Sequence, residues 1–347
     1  MRPKLFDTHL GALARGAAAA TAQSLAAATA QAQDTLRMAS LGPASPTTVF
    51  SIAVSQVLDD ELGLRTQLAT GSPATRQAVE AANQQLDLFV SAVSINHYLK
   101  NQLRMFEEME QAPELFSNLR SILNYPLGSY HGLTWADAGI TSMEDLAGRR
   151  VFIGPPASAG RTVVEQVIRG VTGFEPDEDY ETVNLDWASA EQAFQDRQID
   201  AYFVPTPIPS PELAQISALG EFRALGIPDD KLETDGIQAA TGIPGRGFAF
   251  LEPGTYPNLQ NDAPVRMVES MVGLATNRWM SEEIVYNITK AIFENNDDLA
   301  AAAPWMGGIT PETALNQMNA PLHIGAYRYY TEIGLDISED LIPPEVQ

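Results

Sequence analysis

The stretch GPPASAGRT, Gly154 to Thr162, joins an apolar run, Val151-Phe152-Ile153, to a helix-like run from Thr162 to Ile168. Glycines, a serine and a cation at a strand-to-helix turn are the residue types of a phosphate loop. The spacing argues against one. That motif puts four residues between its glycines and a lysine before its Ser or Thr, whereas five separate Gly154 from Gly160 here and Arg161 replaces the lysine. What remains is a more general anion site. Ser158, Ala159 and Gly160 are expected to leave backbone N–H groups uncovered at a helix start, where the dipole adds to them. The Arg161 guanidinium offers a planar fork matched to a carboxylate. A solvent-facing arginine on an ordinary helix start would have the same spacing.

Other turns carry hydroxyls that could bond a ligand. Ser45 and Thr48 follow the first apolar run, though either is equally suited to capping a helix. Ser72 with Pro73 reads as a cap and first-turn pair, with Thr75 just inside; Ser91 and Thr206 each stand where an apolar run ends. Groups for catalysis are scattered. Apart from His9 there are His97, His131 and His323, with no HExxH, no GxSxG and no metal-ligand spacing. Carboxylate pairs such as Asp59-Asp60 and Asp229-Asp230 read as solvated loops, and Arg328 among Tyr327, Tyr329 and Tyr330 reads as packing. No enzyme activity, cofactor or metal is expected.

The elements that must position these turns alternate. Leu36–Leu41 reads as a strand, followed by a helix with Phe50, Val54, Val57 and Leu58 on one face. A strand at 64–70, a helix from Ser72 through Ala82 and a strand at 86–92 follow. The scheme recurs with a strand at 150–153, a helix from Thr162 stopped by Gly170, and a strand at 180–185. A helix opened by a Ser189/Gln192 capping box comes next, then a strand at 199–204. Ser281 opens a later helix and Thr310-Pro311 another. Such alternation implies parallel strands with crossover helices, an α/β fold, and two sets separated by residues 124–139 imply two lobes. Ligands then belong beyond the carboxyl ends of the strands, at 42–48, 70–76, 91–95, 154–162 and 205–210.

Composition bounds the function. With 45% hydrophobic and 19% charged residues, the chain can bury large cores. A net charge of −23 repels nucleic acid and anionic lipid, so neither is an expected partner. An anionic ligand would need a few cationic or dipolar groups to hold it against that field. The absence of cysteine excludes disulfides, thiolate metal sites and a lipoprotein anchor. Arg2 and Lys4, an alanine-rich stretch and Ala30-Gln31-Ala32 before Gln33 predict a signal peptide over 1–32, cleaved near Ala32. No apolar run is long enough for stable membrane insertion.

Four motifs, in order, carry a resemblance that spans 36–334. Asp145-Leu146-Ala147-Gly148-Arg149-Arg150-Val151 with Gly154-Pro155-Pro156 resembles a "DLxGKxV…GPPGSGT" signature. Ile199-Asp200-Ala201-Tyr202-Phe203 with Pro209, Pro253 to Pro257, and Pro321-Leu322-His323 through Tyr329-Tyr330 resemble "IDAFF…P", "PAGTYP" and "PLHPGAxxYY". These belong to the TAXI proteins, the TRAP-associated extracytoplasmic immunogenic solute receptors. The resemblance implies a two-lobed periplasmic binding protein of type II. Each lobe would be a mainly parallel sheet flanked by helices, with the ligand cleft between them. Lobe I would span 33–126 and 245–347, and lobe II 127–244. It implies capture of a small organic anion (a carboxylate, dicarboxylate, 2-oxo acid or acidic amino acid) and delivery to TRAP membrane subunits. An ABC importer or a membrane kinase could use the same fold as its receptor; the thiamin-pyrimidine synthases that share it carry a cysteine-rich motif. The chain departs from the family at Phe50, where the family has a tyrosine hydroxyl, and at Thr75, where it has asparagine. Arg161 is an added cation.

Overall fold

A computed structural model describes residues 35–346 except 43, 44 and 157; the expected signal peptide lies outside the described residues. The strands are β1 (Thr35–Ala39), β2 (Arg65–Ala69), β3 (Leu88–Ala92), β4 (Leu119–Trp135), β5 (Arg150–Phe152), β6 (Glu181–Thr182), β7 (Ala201–Thr206), β8 (Phe222–Leu225), β9 (Arg246–Leu251) and β10 (Val265–Asn277). The helices are α1 (Pro46–Leu62), α2 (Ala74–Ala82), α3 (Val93–Lys100), α4 (Ala112–Ser117), α5 (Ala159–Thr172), α6 (Trp187–Gln195), α7 (Pro211–Leu219), α8 (Asp235–Thr241), α9 (Glu282–Glu294), α10 (Asn296–Ala302) and α11 (Ile324–Glu332). No described helix is long and apolar enough to cross a membrane.

The strands form one ten-stranded sheet in the order β2-β1-β3-β10-β4-β7-β5-β6, with β8 added to β4 and β9 to β10. Two parallel triplets sit at its ends, β2-β1-β3 and β6-β5-β7. Each triplet anchors one lobe. The long strands β4 and β10 run antiparallel to each other through both lobes: Asn277↔Leu119 lies in lobe I, while Ser129 meets Glu269 on one edge and Thr206 of lobe II on the other. Their ladder slips register between Ser270 and Met271, opposite Gly128 and Pro126. Proline has no N–H to give a ladder, so the irregularity falls where the residue type requires it.

Apolar side chains fill both faces of each lobe. In lobe I, Phe50, Val54 and Leu58 of α1 pack with Ile288 and Ile292 of α9, and Ala78, Leu99 and Phe116 cover the opposite face. In lobe II, Phe194 and Leu213 lie on one side, Val163, Val167 and Ile237 on the other. This is the expected α/β architecture.

Several local expectations are corrected. Residues 124–139 do not separate the sets; most of them are β4, which is buried along nearly its whole length and mixes apolar with polar residues, so it shows no alternation. The helix after β5 does not stop at Gly170 but at Gly173, which has φ of +82°. Gly170 is interior because α8 crosses there: a methyl would come within 2.6 Å of the Ile237 nitrogen. The α6 cap is Asp186, not Ser189, since its carboxylate accepts from the Ser189 amide at 2.9 Å. Pro73, not Ser72, occupies the α2 cap position, and no side chain caps that helix. The segment after Thr310 is a run of turns rather than a helix.

Candidate functional site

The turn after β5 is shaped by its glycines. Gly154 has φ of +110°, and a Cβ there would sit 3.0 Å from the Arg161 nitrogen, so the tight approach of the turn to α5 requires glycine. Ser158 caps α5, its Oγ accepting from the Arg161 amide at 3.1 Å. Among the described residues the Gly160 N–H finds no acceptor. Gly160 also lacks a side chain where one would meet aromatic rings: an added Cβ would lie 3.5 Å from Trp187 and 3.7 Å from Tyr130. Tyr130 comes from β4 and Trp187 is the first residue of α6. Both are half-buried, and Trp187 is braced edge-on by Phe152 at 5.3 Å. An amide-lined helix end beside two aromatic walls can hold a planar or anionic group.

Arg161 is turned to other work in this structure. Its Nε donates to Glu165 at 2.9 Å, Nη1 to Asn184 at 2.9 Å and Nη2 to Thr182 at 3.4 Å, with the side chain 17% exposed. Thr182 in turn donates to Asp177 at 2.7 Å; that bond and one from the Thr182 amide hold the Asp177 carboxyl below its ordinary range. The positive charge is therefore faced by Glu165. Thr162 is exposed. Thr206 donates to Ser210 at 2.8 Å, both buried, and Ser210 caps α7.

The lobe I hydroxyls are mostly committed to the fold. Ser45 caps α1, accepting from the Thr47 amide at 3.3 Å. Thr48 is buried and donates to the Gly42 carbonyl at 2.8 Å, closing the turn. Phe50 packs against Tyr125 with ring centroids 4.3 Å apart and planes tilted by 37°, inside the core. Ser91 accepts from Asn96 at 2.8 Å. Ser72 differs: its hydroxyl is buried without a partner among the described residues, while its carbonyl accepts from Gln77 at 2.7 Å. Thr75 is half-buried in the first turn of α2.

The structure thus gathers Ser158, Gly160, Arg161 and Thr162 at one helix end and disperses the rest among turns and core. Tyr130, Trp187 and Asn184 escaped the sequence reading. A signal existed for Trp187, which follows a helix-capping aspartate just past a strand. Tyr130 gave none, because its strand was not recognised. Among the described residues no group of three or more His, Asp or Glu could hold a metal.

Solved structures with similar architecture include a TctC solute binding protein from Polaromonas, at 14% identity and TM-score 0.46, covering 78% of this chain and 88% of that one. The periplasmic aliphatic sulphonate binding protein SsuA from Escherichia coli is similar at 12% identity and TM-score 0.43, covering 87% and 84%. The periplasmic ectoine-binding protein of the TeaABC TRAP-transporter from Halomonas elongata is similar at 12% identity and TM-score 0.39, covering 86% and 90%. The model of the NMT1-like family matches residues 52–334, most of the chain, and the protein belongs to that family.

Proposed function

We propose that this protein is an extracytoplasmic solute receptor of the TAXI type, exported by its N-terminal segment to the periplasm. There it binds a small organic anion and hands it to TRAP membrane subunits; it performs no catalysis. Lobe I is taken as 33–126 with 245–347 and lobe II as 127–244, joined by β4 and β10. The observation that carries the reading is the Gly160 amide, without an acceptor among the described residues, beside Tyr130 and Trp187 at the carboxyl end of a lobe II strand. The Ser158 amide is spent on the Pro155 carbonyl and the Arg161 amide on the Ser158 hydroxyl, so the helix dipole and the Gly160 N–H are what favour negative charge there, in a chain whose overall field opposes it. Arg161 supports the site by holding Asn184 and the first turn of α5, and two of its five donors remain for a carboxylate. Binding would shift the lobes toward a closed population.

The test is a thermal-shift screen of residues 33–347 against organic acids and acidic amino acids, followed by calorimetry on Gly160→Leu. A true ligand at about a hundred times its Kd stabilises by about 2.7 kcal/mol. The leucine fills the space between the two rings and should weaken that ligand by about a hundredfold or more. Unchanged affinity in Gly160→Leu, or a panel in which only neutral solutes bind, would overturn the reading.

A further inference from the structure

A second cavity lies where the lobes join, and none of its lining belongs to α5 or α6. It has a volume of about 260 Å³ and is walled by Pro126 of β4, Glu269 and Met271 of β10, and Gly308, Thr313, Asn316 and Gln317. Glu269 sits between Ser129 of β4 and Gly247 of β9 in the ladder, one rung before Ser270, after which the register slips. Its carboxylate is partly buried, and no hydrogen-bond or ion-pair partner occurs for it among the described residues. Burial is what holds its pKa above the ordinary range, with no compensating cation or donor. A carboxylate removed from water without a partner is costly, and such a group is retained at a site more readily than in a core.

The rest of the lining defines the guest. Thr313 has already spent its hydroxyl on the Gly308 and Thr310 carbonyls, at 2.9 and 3.1 Å, so it offers no donor to an anion. Asn316 and Gln317 are exposed and bring side-chain amides that both accept and donate, so Glu269, the one charged residue among the described residues of the lining, sets the sign of the guest, while Met271 is buried and supplies an apolar wall. The volume exceeds what a lone inorganic ion fills. We propose that this cavity binds a small organic cation, an ammonium on a short alkyl chain, with Glu269 as its counter-ion and Met271 against the chain.

The proposal is independent of the anion site and is tested with simple probes. The ¹³C-methyl signal of Met271, assigned through Met271→Leu, is followed while n-butylammonium chloride is added to the protein. A saturable shift is expected in the wild type. Glu269→Gln keeps the shape of the side chain and should weaken binding by about tenfold to a hundredfold. Gln317→Lys, at an exposed position, places an ammonium at the mouth of the cavity and should abolish the shift in a folded protein. No saturable shift, equal affinity in Glu269→Gln, or the same response to butyrate, n-butanol or potassium chloride would each overturn the proposal.

Discussion

The turns that open α1 and α5 occupy corresponding places, each following the first strand of a parallel triplet and each capped by a serine, Ser45 or Ser158. They differ in what surrounds the cap. At α1, Ser40, Ser45, Thr47 and Thr48 bond one another and the Gly42 carbonyl, and Phe50 turns into the core. At α5 the position two residues past the cap is glycine, and rings rather than hydroxyls flank it. Equivalent topology therefore does not make equivalent sites. A helix end becomes available to a ligand when the neighbouring side chains leave it unspent.

The largest test of that contrast is Phe50→Ala. Phe50 is 1% exposed and packed against Tyr125, so truncation should cost about 3–5 kcal/mol in urea unfolding and leave solute affinity unchanged. Lost affinity with intact stability would show that α1, too, meets ligand.

Acid should separate the lobes next. Burial lowers His323 of lobe I and His131 of lobe II to about 4, so the unfolded chain takes up protons that the fold refuses as pH falls from about 6.5. Stability falls over that interval, by on the order of a few kcal/mol in total. Glu212 of lobe II works oppositely. Burial, with Glu191 nearby, holds its carboxyl up at about 6 despite a 2.8 Å bond from Tyr202, so the fold keeps a proton that the unfolded chain sheds between about 6 and 4.5. Hydrogen exchange corrected for intrinsic rates should show lobe I losing more protection than lobe II. Equal losses would remove Glu212 as an offset.

The smallest effect compares the caps. Ser45→Ala and Ser158→Ala should each cost about 0.5–2 kcal/mol of stability. Only Ser158→Ala should also lower solute affinity in calorimetry, because only that cap fixes the end proposed to meet ligand.

Much of the architecture was legible because strand and helix periods alternate cleanly, as in Leu36–Leu41 followed by Phe50, Val54, Val57 and Leu58. What escaped was the pair of joining strands. β4 and β10 are covered on both faces and longer than ordinary strands, so neither alternation nor turn residues mark them. With β4 unseen, Tyr130 could not be placed beside Gly160. The cap of α5 was legible from Ser158 ahead of the helix. The fate of Arg161 was not, since Glu165 and Asn184 compete for it only once α5 and the β6 edge are folded side by side.

The crossing of α5 and α8 bears on that end from a distance. Gly170 and Gly236 face each other so closely that a methyl on Gly236 would lie 2.5 Å from the Gln166 carbonyl oxygen. Ten residues of rigid helix, about 15 Å, separate Gly170 from Gly160. Any bulk forced into that crossing pushes the whole rod along or off its axis, carrying the Gly160 amide away from Tyr130 and Trp187. If solute binds at the α5 end as proposed, recognition would thus be lost through a residue that never comes near it.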